Sequence, residues 1–229
     1  MAILLYDLVG KDDSRPFSPH CWKVAMALAH KGLTFETVPT RFLEVPEIEN
    51  GFTKTVPLIR DGDTLVTDSF AIAQYLEATY PDRPSLFGGS GGEALSRFVE
   101  RWSQLTIHPY IAVVAVTDIN AMQDDANTRY FRASRESLFN KTLEEVTAGR
   151  DEGLAAFRAS LKPLRSMLEY QPFIGGASPL FADYIVFGAF QWARVVSDYP
   201  LLETADPVSA WFERCLDLHS GLGRTVAAA

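Results

Sequence analysis

Apolar positions along the chain follow two regimes. Up to about residue 80, short apolar runs alternate with stretches of helical period; beyond about residue 93 only the helical period remains. Ala2 to Tyr6 predicts a short buried strand, and Pro19 to Lys31 a helix that stops at Lys31-Gly32, where glycine suits a left-handed cap. Phe35 to Val38 predicts a second strand, so the opening unit is βαβ with a parallel pair. After an irregular stretch from Arg41 to Thr53, Pro57 to Arg60 and Thr64 to Thr67 flank Asp61-Gly62-Asp63, a hairpin signal. In DSFAIAQYLEATYPD the apolar positions Ile72, Tyr75, Leu76 and Tyr80 recur with helical spacing between a cap at Asp68-Ser69 and a stop at Pro81.

From Pro81 to Gly92 the composition turns to Pro, Gly and Ser, which marks a linker. Helices are expected over 93–122, 129–147, 151–170, 180–197 and 205–219, with no strand among them. The division is therefore an α/β domain over 1–82, a linker over 83–92 and an all-helical domain over 93–229. There is no internal repeat and no coiled-coil heptad pattern.

Charge and composition narrow the partners. A formal net charge of -8, with no Lys/Arg run, argues against nucleic acid and anionic membranes. The apolar start MAILLYDLVGKDD lacks a basic n-region and meets Asp7 early, so no signal peptide is expected, and no apolar run approaches the length of a spanning helix. Cys21 and Cys215 are far apart and without metal-ligand spacing, which predicts two reduced thiols in a cytoplasmic protein and no metal site.

The β-α-β-β-β-α order is compatible with a thioredoxin-type fold, and three features sit where such a fold would bind a thiol peptide. Ser18 is placed as N-cap of the first helix, with Pro19 at its first position. Alone, this is an ordinary cap; functionally, a helix N-terminus with a hydroxyl donor stabilises a thiolate. In Thr55-Val56-Pro57 a proline opens a strand, which any sheet tolerates. A cis bond there would present the Val56 N–H and C=O as an open edge for an extended peptide. Asp68-Ser69 is again an ordinary N-cap taken alone, yet also a ready carboxylate site beside a side chain that accepts from an ammonium.

Together these residues resemble the glutathione-binding half of the soluble glutathione transferases: Ser18 with Trp22-Lys23 behind it, Thr55-Val56-Pro57, and Asp68-Ser69. The SPHC tetrad at Ser18 to Cys21 is also similar to the CPYC of glutaredoxins with serine for the first cysteine. In the C-terminal half, YFRASRE (Tyr130 to Glu136), TLEEV (Thr142 to Val146) and ADYIVFGAFQWAR (Ala182 to Arg194) are similar to the bacterial β-etherase LigE type and its fungal Fua-type relatives. The resemblance implies a thioredoxin-like domain followed by an all-α domain, a homodimer, and glutathione as cosubstrate. It implies that Ser18 stabilises the thiolate, that Val56 and Pro57 present the edge for the cysteinyl backbone, and that Asp68 and Ser69 hold the γ-glutamyl end. The second substrate is then an apolar, aromatic electrophile, and the activity extends to cleavage of aryl ethers. One departure stands out: the usual Ser or Thr cap three residues before Asp183 is Leu180 here, which leaves Ser178 or a looser helix start.

Other residues stand as secondary candidates. Lys54 and Arg41 flank the peptide edge and are candidates for the glycine carboxylate of glutathione, the alternative being solvated loop cations. Ile107 and Tyr110 are candidates for the electrophile pocket, against a core role. His20, in the first turn of a helix, has its protonated form disfavoured, and His108 reads as a packing residue. Cys21 occupies a resolving position without a partner, which disfavours a disulfide reductase. Arg129, Arg132 and Arg135 recur at helical spacing, either as a solvated face or as an attractor for an acidic substrate. Two alternatives remain: a glutathione-dependent isomerase or dehalogenase, and a non-catalytic protein that keeps the fold as a ligand carrier or scaffold.

Overall fold

The computed structural model describes residues 2–229. A four-stranded sheet has β1 (Ile3–Leu8) and β3 (Leu58–Asp61) at its centre, in the order β2-β1-β3-β4. β2 (Phe35–Thr40) runs parallel to β1, while β3 is antiparallel to β1 and to β4 (Thr64–Thr67). β2 continues through Pro39, beyond the expected stop at Val38. It lies at the sheet edge, where a residue without an N–H is tolerated.

α1 (Pro19–His30) joins β1 to β2 and is buried from Cys21 to Leu28. It ends as expected at Lys31 and Gly32, with Gly32 at φ +63°. The Lys31 ammonium is buried, paired with Glu77 at 2.9 Å, and donates to the Tyr80 carbonyl at 3.1 Å. α2 (Ser69–Thr79) follows the hairpin.

The remainder is helical, but three of the expected long helices are broken. The run expected over 93–122 is α3 (Ser90–Thr106) and α4 (His108–Ala121), because Pro109 has no N–H to continue the ladder and disfavours helical geometry in the residue before it. The second run divides into α5 (Asp125–Phe139) and α6 (Leu143–Ala148) at Asn140, which is left-handed at φ +51°. The Thr142/Glu145 capping box then starts the new helix. The third divides into α7 (Arg150–Ser160) and α8 (Lys162–Leu168), with Pro163 in the first turn of the latter.

α9 (Phe181–Val196) is buried on nearly every side, and α10 (Pro207–Leu216) packs on it. A helix apolar all round belongs in the centre, and α9 packs against both α1 and α3. The contact with α1 is tight at Gly188, where a Cβ would lie 2.3 Å from the Pro19 carbonyl oxygen. A glycine is therefore what lets the first turn of α1 rest on α9. The missing cap at Leu180 is made good by Asp183, whose buried carboxylate accepts from the N–H groups of Leu180, Ile174 and Gly175 and from Trp211 Nε1. No helix among the described residues is long and apolar enough to cross a membrane.

Candidate active site

The loop between β1 and α1 is fixed before it reaches Ser18. Phe17 N–H donates to the Leu8 carbonyl, Trp22 Nε1 to the Pro16 carbonyl and Arg15 to the Val195 carbonyl. Ser18 is then the N-cap: its Oγ accepts from Cys21 N–H at 3.2 Å, and its carbonyl from Trp22 N–H. Pro19 has no N–H, and the His20 N–H finds no acceptor among the described residues. The hydroxyl proton of Ser18 likewise has no acceptor. Two donors at the positive end of a buried helix thus stay available to an anion.

Val56 presents a second set of open groups. The Val56-Pro57 peptide is cis. On either side of it the backbone is satisfied, Thr55 by the Thr53 hydroxyl and the Pro57 carbonyl by the Thr67 hydroxyl at 3.2 Å. Neither the N–H nor the C=O of Val56 has a partner among the described residues. At the start of α2, Asp68 has φ +72° and its Oδ1 accepts from the N–H groups of Phe70 and Ala71. The N–H and hydroxyl of the buried Ser69 have no partner among the described residues.

Ser18, Lys54 and Val56 lie on the wall of one cavity of about 360 Å³. Its other walls are Phe17 and His20, Phe42 after β2, Val116 and Ile119 of α4, Tyr130, Phe131, Arg135, Leu138 and Phe139 of α5, and Trp192 of α9. Asp68 and Ser69 are not on this wall but at the N-terminus of α2.

Three expected contributors lie elsewhere. Arg41 is held by Asp13 at 2.7 Å, Glu44 at 3.5 Å and Asp124 at 3.7 Å, so its charge is already matched and it does not reach the cavity. Ile107 is fully buried at the break between α3 and α4. Tyr110 stacks on Phe157 with centroids 4.5 Å apart and donates to the Arg150 carbonyl. Because Pro109 restarts the helix, the cavity face of α4 is Ala112, Val116 and Ile119, on the side opposite Tyr110.

The two histidines and the cysteine near Ser18 are held neutral. Burial, then Lys23 and His108, push His20 well below the ordinary histidine range, and the two imidazoles stack 5.5 Å apart. His108 is pushed down to about 4 by burial and then by Lys23, and its Nδ1 lies 3.1 Å from the Ser103 carbonyl, a packing role as expected. Lys23 is buried beside Glu100 at 3.6 Å, and burial lowers its pKa. Burial and then the charge of Asp7 push the Cys21 thiol far up, so it is not a nucleophile at neutral pH. Cys21 and Cys215 are both free and buried.

A serine-capped helix end, an open backbone edge and an aromatic cavity meet in this chain. The family model described as "Glutathione S-transferase, N-terminal domain" matches residues 14–84, and the one described as "Glutathione S-transferase, C-terminal domain" matches residues 94–213. The chain belongs to the glutathione S-transferase family.

Glutathione S-transferase 1 of Dianthus caryophyllus is 36% identical over 188 residues, 80% of this chain and 79% of that protein. Among solved structures, the glutathione transferase GSTFuA3 of Phanerochaete chrysosporium superposes with a TM-score of 0.77 at 27% identity, covering 96% of this chain and 92% of that one. It fits the fungal side of the resemblance carried by the C-terminal motifs. A glutathione S-transferase of Ceriporiopsis subvermispora, solved in complex with glutathione, has a TM-score of 0.81 at 24% identity over 96% of this chain and 98% of that one.

Within this transferase fold, sequence reasoning had missed most of the cavity wall. Phe42 lies in a stretch without period and carried no signal. Phe131, Arg135 and Leu138 did carry one, an i, i+4, i+7 stripe with a cation inside it. Of the three arginines noted on this helix, Arg132 is spent on Glu136 and Glu144 at 2.8 and 2.7 Å, and Arg135 faces the cavity.

Proposed function

We propose that this protein is a catalytically active glutathione transferase of the cytoplasm that attacks an aromatic electrophile through the glutathione thiolate. Glutathione is the cosubstrate. Its cysteinyl backbone pairs with the open N–H and C=O of Val56 beside Pro57, its γ-glutamyl end meets Asp68 and Ser69, and its glycine carboxylate meets Lys54. The thiolate receives hydrogen bonds from the Ser18 hydroxyl and the His20 N–H, which favour ionisation of the thiol at neutral pH. In this division of labour residues 1–82 hold glutathione and 93–229 hold the electrophile. The carrying observation is that the unpartnered groups of Ser18 and Val56 open to the same aromatic cavity.

For an aryl ether, the C–S bond forms at the carbon bearing the aryloxy group and the C–O bond breaks. The aryloxide leaves with the bonding pair, and the thiol proton, lost to solvent on ionisation, balances the charge on the phenol product. Neutral His20 and His108 leave no imidazolium to assist this leaving group. The reading includes a homodimer. Leu95, Phe98 and Leu105 of α3 are 53%, 67% and 70% exposed along one helical stripe, an apolar face that a second copy would cover.

The test is turnover with glutathione of a β-aryl ether, of 1-chloro-2,4-dinitrobenzene and of a maleyl compound, alongside calorimetric titration with glutathione. Binding with turnover of the first two supports the reading. Turnover of the maleyl compound alone would make the enzyme an isomerase, and no binding of glutathione would leave the scaffold alternative.

A further inference from the structure

The cavity that takes the electrophile has mainly apolar and aromatic walls, with Ser18, His20, Thr55 and Tyr130 and two cations among them. Among its lining side chains the cations are Lys54 and Arg135, and none is acidic, in a chain whose formal net charge is -8. The Arg135 guanidinium lies 4.8 Å from the Phe131 ring centroid and 5.8 Å from that of Phe42. It has no carboxylate within 4 Å among the described residues, and its hydrogen bond goes to the Ser134 hydroxyl. Its neighbour Arg132, by contrast, is doubly paired on the outside of the same helix. Burial lowers the Arg135 pKa from its ordinary value, yet an arginine stays charged at neutral pH.

A half-buried cation that the chain leaves unmatched is costly unless something else matches it. A carboxylate is the complementary partner, since the planar guanidinium takes it through paired N–H groups while its face remains on the aromatic rings. Lys54 stands next to the Val56 edge and belongs to glutathione in the reading above. We propose that Arg135 makes the cavity selective for aromatic electrophiles that carry a carboxylate, the ring held between Phe42, Phe131 and Trp192 and the carboxylate held by Arg135. This rests on the assignment of the cavity to the electrophile. It gives the substrate class a charge that the apolar walls alone do not.

The test compares two electrophiles that share one reacting carbon, 4-chloro-3,5-dinitrobenzoate and its methyl ester, each with glutathione. In both, the C–S bond forms at the chlorine-bearing carbon, chloride leaves with the bonding pair of the C–Cl bond, and the thiol proton passes to solvent. The readout is the ratio of kcat/KM for acid over ester, in which a general loss of folding or of pocket shape cancels. Relative to wild type, Arg135→Leu is expected to lower that ratio about tenfold or more, mainly through KM of the acid, in keeping with one charge-assisted hydrogen-bonded contact. Arg135→Lys is expected to lie between, and added salt to narrow the wild-type ratio.

An unchanged ratio in Arg135→Leu would overturn the proposal, leaving the guanidinium as a packing group on Phe131. A second readout needs no turnover: quenching of tryptophan fluorescence by unreactive 3,5-dinitrobenzoate against its methyl ester. A preference for the acid that Arg135→Leu abolishes, in a protein that conjugates neither chloride, would sustain the anion site and sink the transferase reading. No preference in wild type would sink the anion site.

Discussion

α1 and α9 pack on each other at the centre of this molecule, and the donors at their two N-termini end differently. At α9 the carboxylate of Asp183 collects three backbone N–H groups and the Trp211 indole, at distances from 2.7 to 3.0 Å. At α1 Ser18 collects one, and its own hydroxyl and the His20 N–H are left over. Where the chain supplies its own anion, the helix end is structural and closed. Where it supplies only a hydroxyl, the end is open to an anion from outside, and that open end rests on the middle of α9 at Gly188. A helix N-terminus is therefore not a site in itself; the site is made by what the fold withholds from it.

The sharpest way to break this contrast is at its closed end. Asp183→Ala strands four donors, the Trp211 indole buried and the three backbone N–H groups half-buried, and is expected to cost roughly 3–5 kcal/mol of stability. The check is chemical denaturation followed by tryptophan fluorescence, and a loss below about 1 kcal/mol would mean that water replaces the carboxylate there.

A somewhat smaller effect separates Asp183 from another buried carboxyl, Asp7, which lies under α1 beside Cys21. Its Oδ1 has no partner, and burial pushes its pKa up to about 7. A carboxyl whose folded pKa lies above its unfolded value, about 3.9, favours the fold fully below the unfolded value. That contribution is lost as pH rises through the folded value, a change on the order of 2–4 kcal/mol. Wild type should therefore lose stability relative to Asp7→Asn between about pH 4 and 7, and the difference should level off above that range. Melting temperatures of both proteins across this range check it, and a constant difference would mean that Asp7 is ionised throughout.

The same contrast explains what the sequence could and could not disclose. Ser18-Pro19, Asp68-Ser69 and Lys31-Gly32 are local signals, because a cap and its helix are neighbours in the chain, and the structure has all of them where expected. The order of strands followed from period and turn chemistry alone. Asp183 taking over from the missing cap at Leu180 was not readable, since its partners Ile174, Gly175 and Trp211 come together only in the fold. Arg41 and Arg135 each kept two readings in the sequence for a related reason. A basic residue in a loop and one on a helix look alike until Asp13 and Asp124 are seen to claim the first and no carboxylate the second. Tyr110 failed through one local event, the helix restart at Pro109, which turned the expected face away from the cavity.

The open end of α1 is tested most directly by the ionisation of glutathione bound there. Thiolate absorbance of the complex is recorded against pH in wild type and in Ser18→Ala, with binding checked separately by calorimetry. The account predicts a bound thiol ionising at least one pH unit below the free value of about 8.5, moving back toward that value in Ser18→Ala while glutathione still binds. Bound glutathione with an unshifted thiol in both proteins would contradict it, and Ser18 would then be a helix cap like any other.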